Sequence, residues 1–270
     1  MDKQLIIEKY KKQEDRILVS RLFDKIEICK KTNKVVNLDF LDPAERKILE
    51  NVINIIKIKN YIFYGGINEC QRAVLIIYPE KLENIFQNSS FDYNTIIQAI
   101  RIILPSELKG TFEHRTYLGG LIKLGIKREK IGDIVTYNEG ADIIVSEEIS
   151  KFILSNLAQL TRFSKCNIEK IKLENLHENI QTYDHIKIVL SSMRLDNVIA
   201  ELALTSRNKA SELITQERVF INYENETKQI KLVKENDVIS IRGKGKFKIG
   251  NIDGTTRSGR IVLHVDKFIS

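Results

Sequence analysis

Val19, Leu22, Phe23 and Ile26 recur at intervals of three and four residues, the spacing that lines one face of a helix with apolar side chains. Leu49, Val52, Ile53 and Ile56 repeat the pattern. The second helix has a start signal: Asp42 is suited to capping, Pro43 to the first helical turn, and Glu45 completes a capping box. The first sixty residues therefore read as a helical region, with 33–41 as the connection between two helices. From Tyr61 the period changes. Segments 61–64, 73–78 and 96–104 are short, rich in Ile, Val and Tyr, and read as strands. Residues 111–124 read as a helix, with Thr111 as cap and Gly125 as stop. Segments 131–136 and 141–145 form a hairpin around Asn138-Glu139-Gly140. Ser146 then caps a helix that carries Ile149, Phe152, Ile153 and Leu157 inward, and a strand follows at 167–173. The polar stretch 174–184 is the expected linker.

Beyond it, Leu195, Val198, Ile199 and Leu202 make another helical stripe. A second short helix begins at Ser206, with Ala210, Leu213 and Ile214 facing inward, and strands follow at 219–222, 238–242, 247–252 and 260–265. The expected fold class is α+β. It comprises a helical region (1–60), a central α/β sandwich of helices on one face of a mostly antiparallel sheet (61–174), and a C-terminal module of two helices plus a small sheet (185–270).

Charge changes this picture in one place. The chain of 270 residues carries 43 Lys+Arg against 36 Asp+Glu, a formal net charge of +7. Residues 185–270 hold 15 of those cations and 10 of the anions, so most of the excess lies in the last third. A basic module is the footprint of a polyanion binder, although a solvated basic surface gives the same arithmetic. The longest unbroken apolar run is six residues, 73–78, too short to span a bilayer. The N-terminus has no apolar stretch of the secretory kind. Cys29, Cys70 and Cys166 are isolated, so neither a disulfide framework nor a zinc site is expected, and a reducing cytoplasm fits them.

Two helix starts about a dozen residues apart each carry cations: Arg194 with Asp196, and Ser206, Arg207 and Lys209. A helix N-terminus offers unpaired N–H groups and partial positive charge, and adding Arg or Lys makes a phosphate clamp. The alternative is that Arg194 and Arg207 only pair with Asp196 and Glu201 on a solvated face. Arg242-Gly243-Lys244-Gly245-Lys246 adds a loop in which glycines between long cations admit a sugar–phosphate chain. In the central segment, Arg115 lies in the first turn of its helix, with Lys127, Arg128 and Lys130 at the other end; Arg115, Lys127 and Arg128 are candidates for a second RNA surface. Gly119 and Gly120 read as close-packing positions.

Residues 193–248 resemble the S-four RNA-binding domain. The match runs through Arg194-Leu195-Asp196, Ser206-Arg207, Lys209-Ala210, Leu213-Ile214, Val219, Asn222, Asp237, Ile239 and Arg242-Gly243. One departure stands out: Glu217 occupies the place of the family's glycine two residues before Val219, where a left-handed turn penalises a β-carbon. Upstream, His114-Arg115, Leu118-Gly119-Gly120, Leu124-Gly125-Ile126-Lys127-Arg128 and Ile131-Gly132-Asp133-Ile134 resemble the central signature of the YlmH family. That family also shows Leu41-Asp42-Pro43 before its second helix. The resemblance implies an N-terminal helical region, an RRM-like RNA-binding domain and a C-terminal S-four domain of the αL type. It further implies a factor bound to large ribosomal subunit rRNA and tRNA or peptidyl-tRNA. The implied process is ribosome-associated quality control with C-terminal tailing, and the family is linked to cell division as well.

No catalytic activity, cofactor or metal is expected. Arg194-Leu195-Asp196 looks superficially like the catalytic sequence of pseudouridine synthases, but here it runs into a helix and only 74 residues follow Asp196. A P-loop, an HExxH pair, a nucleophile elbow and a Gly-rich cofactor loop after a strand are all missing. The rival readings are a protein-interaction adaptor and, further off, an S-four-anchored RNA-modifying enzyme. The expected state is a monomer in the cytoplasm with no membrane partner.

Overall fold

A computed structural model describes residues 3–178 and 183–269, which divide into two compact units, Met1–Asn179 and Ile180–Ser270. The first opens with helices α1 (Lys3–Glu8) and α2 (Gln13–Thr32), strand β1 (Val36–Leu41) and helix α3 (Pro43–Ile56). The capping box forms as read: Glu45 N donates to Asp42 Oδ1 at 2.9 Å and Asp42 N to Glu45 Oε2 at 2.7 Å. Strand β1 corrects the expectation of a plain connection at 33–41. Val36 and Leu38 alternate with Asn37 and Asp39 and face the helices, and a bulge between Leu38 and Phe40 then turns Phe40 to the opposite face while Leu41 rejoins Leu38. Strands β2 (Tyr61–Tyr64) and β3 (Ala73–Ile77) complete an antiparallel sheet ordered β1-β3-β2, so hydrogen bonding crosses residue 60. Helices α2 and α3 bury Val19, Leu22, Leu49 and Val52 against Leu38, Leu75 and Ile77 of this sheet.

After the short α4 (Glu83–Gln87) come β4 (Ile97–Ile103), α5 (His114–Lys123), β5 (Ile131–Tyr137), β6 (Gly140–Ser146), α6 (Glu147–Asn156) and β7 (Asn167–Ile171). This is a β-α-β-β-α-β unit with strand order β5-β6-β4-β7, the topology expected of an RRM-like domain. Two expected caps differ in detail. Helix α5 starts later than read, with Glu113 at its cap position, because the Thr111 hydroxyl is committed to Leu108 O at 2.7 Å. Ser146 occupies the cap of α6, but its Oγ is buried and makes no hydrogen bond. Phe152, expected inside, is 47 % exposed, while Ile153 and Leu157 carry the buried face of that stretch.

The linker is shorter than 174–184. Asn175 and His177 dock on the first unit, where Asp142 gathers Arg101, Tyr137 and His177, and strand β8 (Tyr183–Leu190) already includes Tyr183 and Asp184. Residues 179–182 of the expected linker lie outside the described ones.

The second unit comprises β8, α7 (Leu195–Leu202), α8 (Arg207–Thr215), β9 (Val219–Ile221), β10 (Glu224–Asn225), β11 (Val238–Ile241), β12 (Gly245–Thr255) and β13 (Ile261–Phe268). Its six-stranded sheet runs β10-β9-β11-β12-β13-β8 with every pairing antiparallel. Strand β8 was not expected; Ile186, Ile188 and Leu190 alternate inward against β13 and so add it to the sheet. Leu195, Val198, Ile199 and Leu202 pack with Ile239, Phe247, Ile249 and Leu263 to form the core. Each such side chain is worth about 1.5–3 kcal/mol on burial.

Candidate nucleic-acid interface

The two C-terminal helices are tied together at their starts by one carboxylate. Asp196 is 3 % exposed and sits in the first turn of α7. Arg194 donates to it through Nε (3.2 Å) and Nη2 (2.9 Å), and Arg207, at the start of α8, through Nε (2.9 Å) and Nη2 (2.7 Å). Asn197 N also donates to Asp196, at 2.9 Å. Burial opposes the charge of Asp196, but the hydrogen bonds and positive charges of the two arginines outweigh it and hold the carboxyl below its usual range. The arginine side chains remain 38 % and 50 % exposed. One buried anion therefore fixes two guanidinium groups side by side and leaves positive charge in excess. Two cations facing one carboxylate present a preorganised net charge of about +1 to an incoming phosphate.

The helix starts are not equivalent. At α7, Leu195 N donates to Lys231 O (2.8 Å) and Asp196 N to Gln229 O (3.1 Å), so those backbone donors serve the 229–233 segment. This corrects the expectation of two open helix starts. At α8, Ser206 caps as expected, its Oγ accepting from Lys209 N at 3.3 Å, and Arg207, Asn208 and Lys209 are exposed. Arg207 pairs with Asp196 rather than Glu201 because its fork reaches back across the turn between the helices.

The basic loop divides. Arg242 and Lys244 are exposed on the β11–β12 hairpin, with the Arg242 guanidinium 5.0 Å from the Phe220 ring centre. Lys246 faces inward to a ring pair: its Nζ lies 2.9 Å from Tyr223 Oη and 4.5 Å from the centre of Phe268. That ammonium is used in the fold, unlike the expected phosphate track. Arg242 N donates to Arg218 O, which sets the hairpin beside the end of α8, whereas Arg207 stands at its start. The nine residues of α8 separate the two patches by about 13 Å along the axis.

Other signature residues prove structural. Asn222 Oδ1 accepts from Val238 N (2.9 Å) while its Nδ2 donates to Asp237 (2.8 Å), locking β9 to β11. Glu217 adopts φ of 56°, so the left-handed turn survives the loss of glycine. Glu217→Gly is expected to raise stability by about 0.5–1 kcal/mol, the steric relief exceeding the added backbone entropy of the unfolded chain. An unchanged or lower urea midpoint would show that Glu217 makes a compensating interaction.

In the central domain the face turned away from α5 and α6 is closed. Ile97, Ala99 and Ile144 are completely buried on it, packed with Phe40, Val74 and Ile76 of the first sheet. Its other end is sealed by the Arg101–Asp142 pair and His177. A typical RRM stacks bases on that face, and here apolar burial has taken it. Of the cations flanking α5, Arg115 is exposed and ion-paired with Glu113 at 2.8 Å, and Lys127 is exposed. Arg128 turns inward to Ile131 O (2.6 Å), where burial and the neighbouring Arg72 push its guanidinium down to about 10. Lys130 is paired with Asp39 and Glu148. Sequence reading missed Lys123 and Arg162, which join Arg115 around a groove; Arg162 lies in a 3-10 turn, and no motif or periodicity marks it.

These features define an RNA-binding protein with an S-four domain behind an RRM-like one. A family model described as "Putative RNA-binding domain in YlmH" matches residues 89–175, and one described as "S4 domain" matches 193–239. The chain is 29% identical over 252 residues to "Ribosome-associated protein quality control protein P2" of Bacillus subtilis, covering 92% of this chain and 93% of that one. Together these matches support the YlmH family. A solved structure, "Cell division protein ylmH from Streptococcus pneumoniae", aligns with a TM-score of 0.48 at 18% identity, covering 62% of this chain and 98% of that one.

Proposed function

We propose that this protein is a non-catalytic factor that binds folded RNA on the large ribosomal subunit, contacting rRNA and peptidyl-tRNA, in ribosome-associated quality control of stalled chains. The observation that carries the reading is the convergence of Arg194 and Arg207 on buried Asp196. A carboxylate of that kind, nearly sealed from solvent, serves to hold two guanidinium forks at one spacing, and such forks match phosphate oxygens. The name of the Bacillus subtilis relative supports the ribosomal setting. The protein acts as a monomer in the cytoplasm. Its working modules are 1–60, 61–174 and 185–270, the first two sharing one sheet.

Co-sedimentation tests this. The protein should travel with isolated large subunits, and nuclease digestion or salt raised from about 0.05 to 0.2 M should release it. Binding that survives complete nuclease digestion would instead identify an adaptor held by a protein partner. Methyl transfer or pseudouridine formation by the purified chain would overturn the non-catalytic assignment.

A further inference from the structure

Helix α5 and the 160–163 turn enclose a groove of about 350 Å³ lined by Arg115, Thr116, Gly119, Lys123, Thr161 and Arg162, with Gly120, Leu160 and Phe163 beneath. Three of the lining residues are cations, two carry hydroxyls and none is acidic. Glu113, which pairs with Arg115, lies outside the lining. Arg115, Gly119 and Lys123 follow one another at intervals of four residues, so they stack along a single line of the helix. The two cations are about 12 Å apart along the axis with a gap between them.

The gap is the informative part. The two adjacent glycines have different physical reasons. A β-carbon at Gly120 would overlap the Phe163 ring, so core packing demands that glycine. A β-carbon at Gly119 would meet nothing within 4 Å. Gly119 is exposed, lies inside the helix and has no positive φ. A glycine there costs about 1 kcal/mol relative to alanine. Neither packing nor backbone conformation repays that cost, whereas close approach of an external chain does.

We infer that this groove seats a sugar–phosphate strand of RNA, its backbone passing over Gly119 between Arg115 and Lys123 while Arg162 closes the far wall. The RRM-like domain thus engages RNA on its helical side, its sheet face being covered. The inference rests on the proposed RNA-binding function and adds the place at which the central domain takes part.

The test uses the full chain, with fluorescence anisotropy against labelled bulk tRNA and purified large-subunit RNA over a salt series. Gly119→Leu fills the groove without altering charge. It should fold at least as stably as the wild type and bind at least one probe about tenfold more weakly. Arg162→Glu, at an exposed site, should do the same and lower the salt slope by about one or more. If both variants bind both probes like the wild type while Arg207→Ala with Lys209→Ala weakens binding, the groove is excluded and the RNA reading stands. A wild type that binds neither probe removes the RNA reading itself. RNA binding unchanged in both variants together with poly-glutamate binding that both variants lose would overturn the inference and assign the groove to an acidic protein.

Discussion

Arg207→Ala combined with Lys209→Ala should weaken RNA binding by about thirtyfold at 0.15 M salt and reduce the slope of log K against log salt by about two. The magnitude follows from counterion release, each lost phosphate contact removing about 0.7–0.9 of slope. The fold should persist. Lys209 is exposed, and Arg194 still holds Asp196 through two hydrogen bonds after Arg207 is gone. Circular dichroism like the wild type's and a cooperative urea transition, its midpoint lowered by the loss of Arg207 from Asp196, would establish that, and anisotropy or filter binding would give the slope. The combination discriminates sharply, because a merely solvated basic face would lose little. An unaltered affinity in the folded double variant removes this surface from RNA binding.

The largest effect on stability is expected at Asp142, which is fully buried and accepts from Arg101 at 2.7 Å twice, from Tyr137 Oη at 3.0 Å and from His177 N at 2.9 Å. Asp142→Ala leaves a mostly buried guanidinium and a phenol without their acceptor, and it frees the 175–177 segment that the carboxylate anchors. The loss should be about 3–5 kcal/mol, as for other buried pairs broken from one side. Burial works against the Asp142 charge, yet the hydrogen bonds of Arg101, His177 and Tyr137 prevail and lower the carboxyl from its usual range. A carboxyl depressed in the folded state contributes stability above its unfolded value near 4, and that contribution disappears as pH falls through the folded value. Unfolding of the first unit measured from pH 6 to 2 should therefore steepen below about pH 4 in the wild type and lose that component in Asp142→Ala. A pH profile identical in the two proteins would show that the carboxylate contributes nothing.

The apolar stripes of α2, α3, α7 and the inward part of α8 were legible because each is amphipathic and each face meets a core. The Asp42 cap was legible for the same local reason: its partners lie within three residues. Strand β1 went unread although its alternation is present, because two strong helical stripes flank it and its partner β3 lies more than thirty residues away. Strand β8 also went unread, its first two residues lying in the expected linker, because its apolar positions are few and its partner β13 is more than seventy residues away.

Residue chemistry by itself placed cations at 194, 207, 209, 242 and 244, and in those five cases the side chains remain at least partly exposed. The ordered signature from 193 to 248 also pointed to the two-helix module, which a family model matches over 193–239, while the sheet extends to six strands through β8 and β13. What only tertiary structure decided is which cations remain outward. Arg128 and Lys246 look like Arg115 and Lys244 in sequence, but the chain turns Arg128 inward onto the Ile131 carbonyl, and rings from remote segments hold Lys246. Folding likewise covered the RRM sheet and separated Gly119 from Gly120, since packing depends on neighbours that local spacing does not specify.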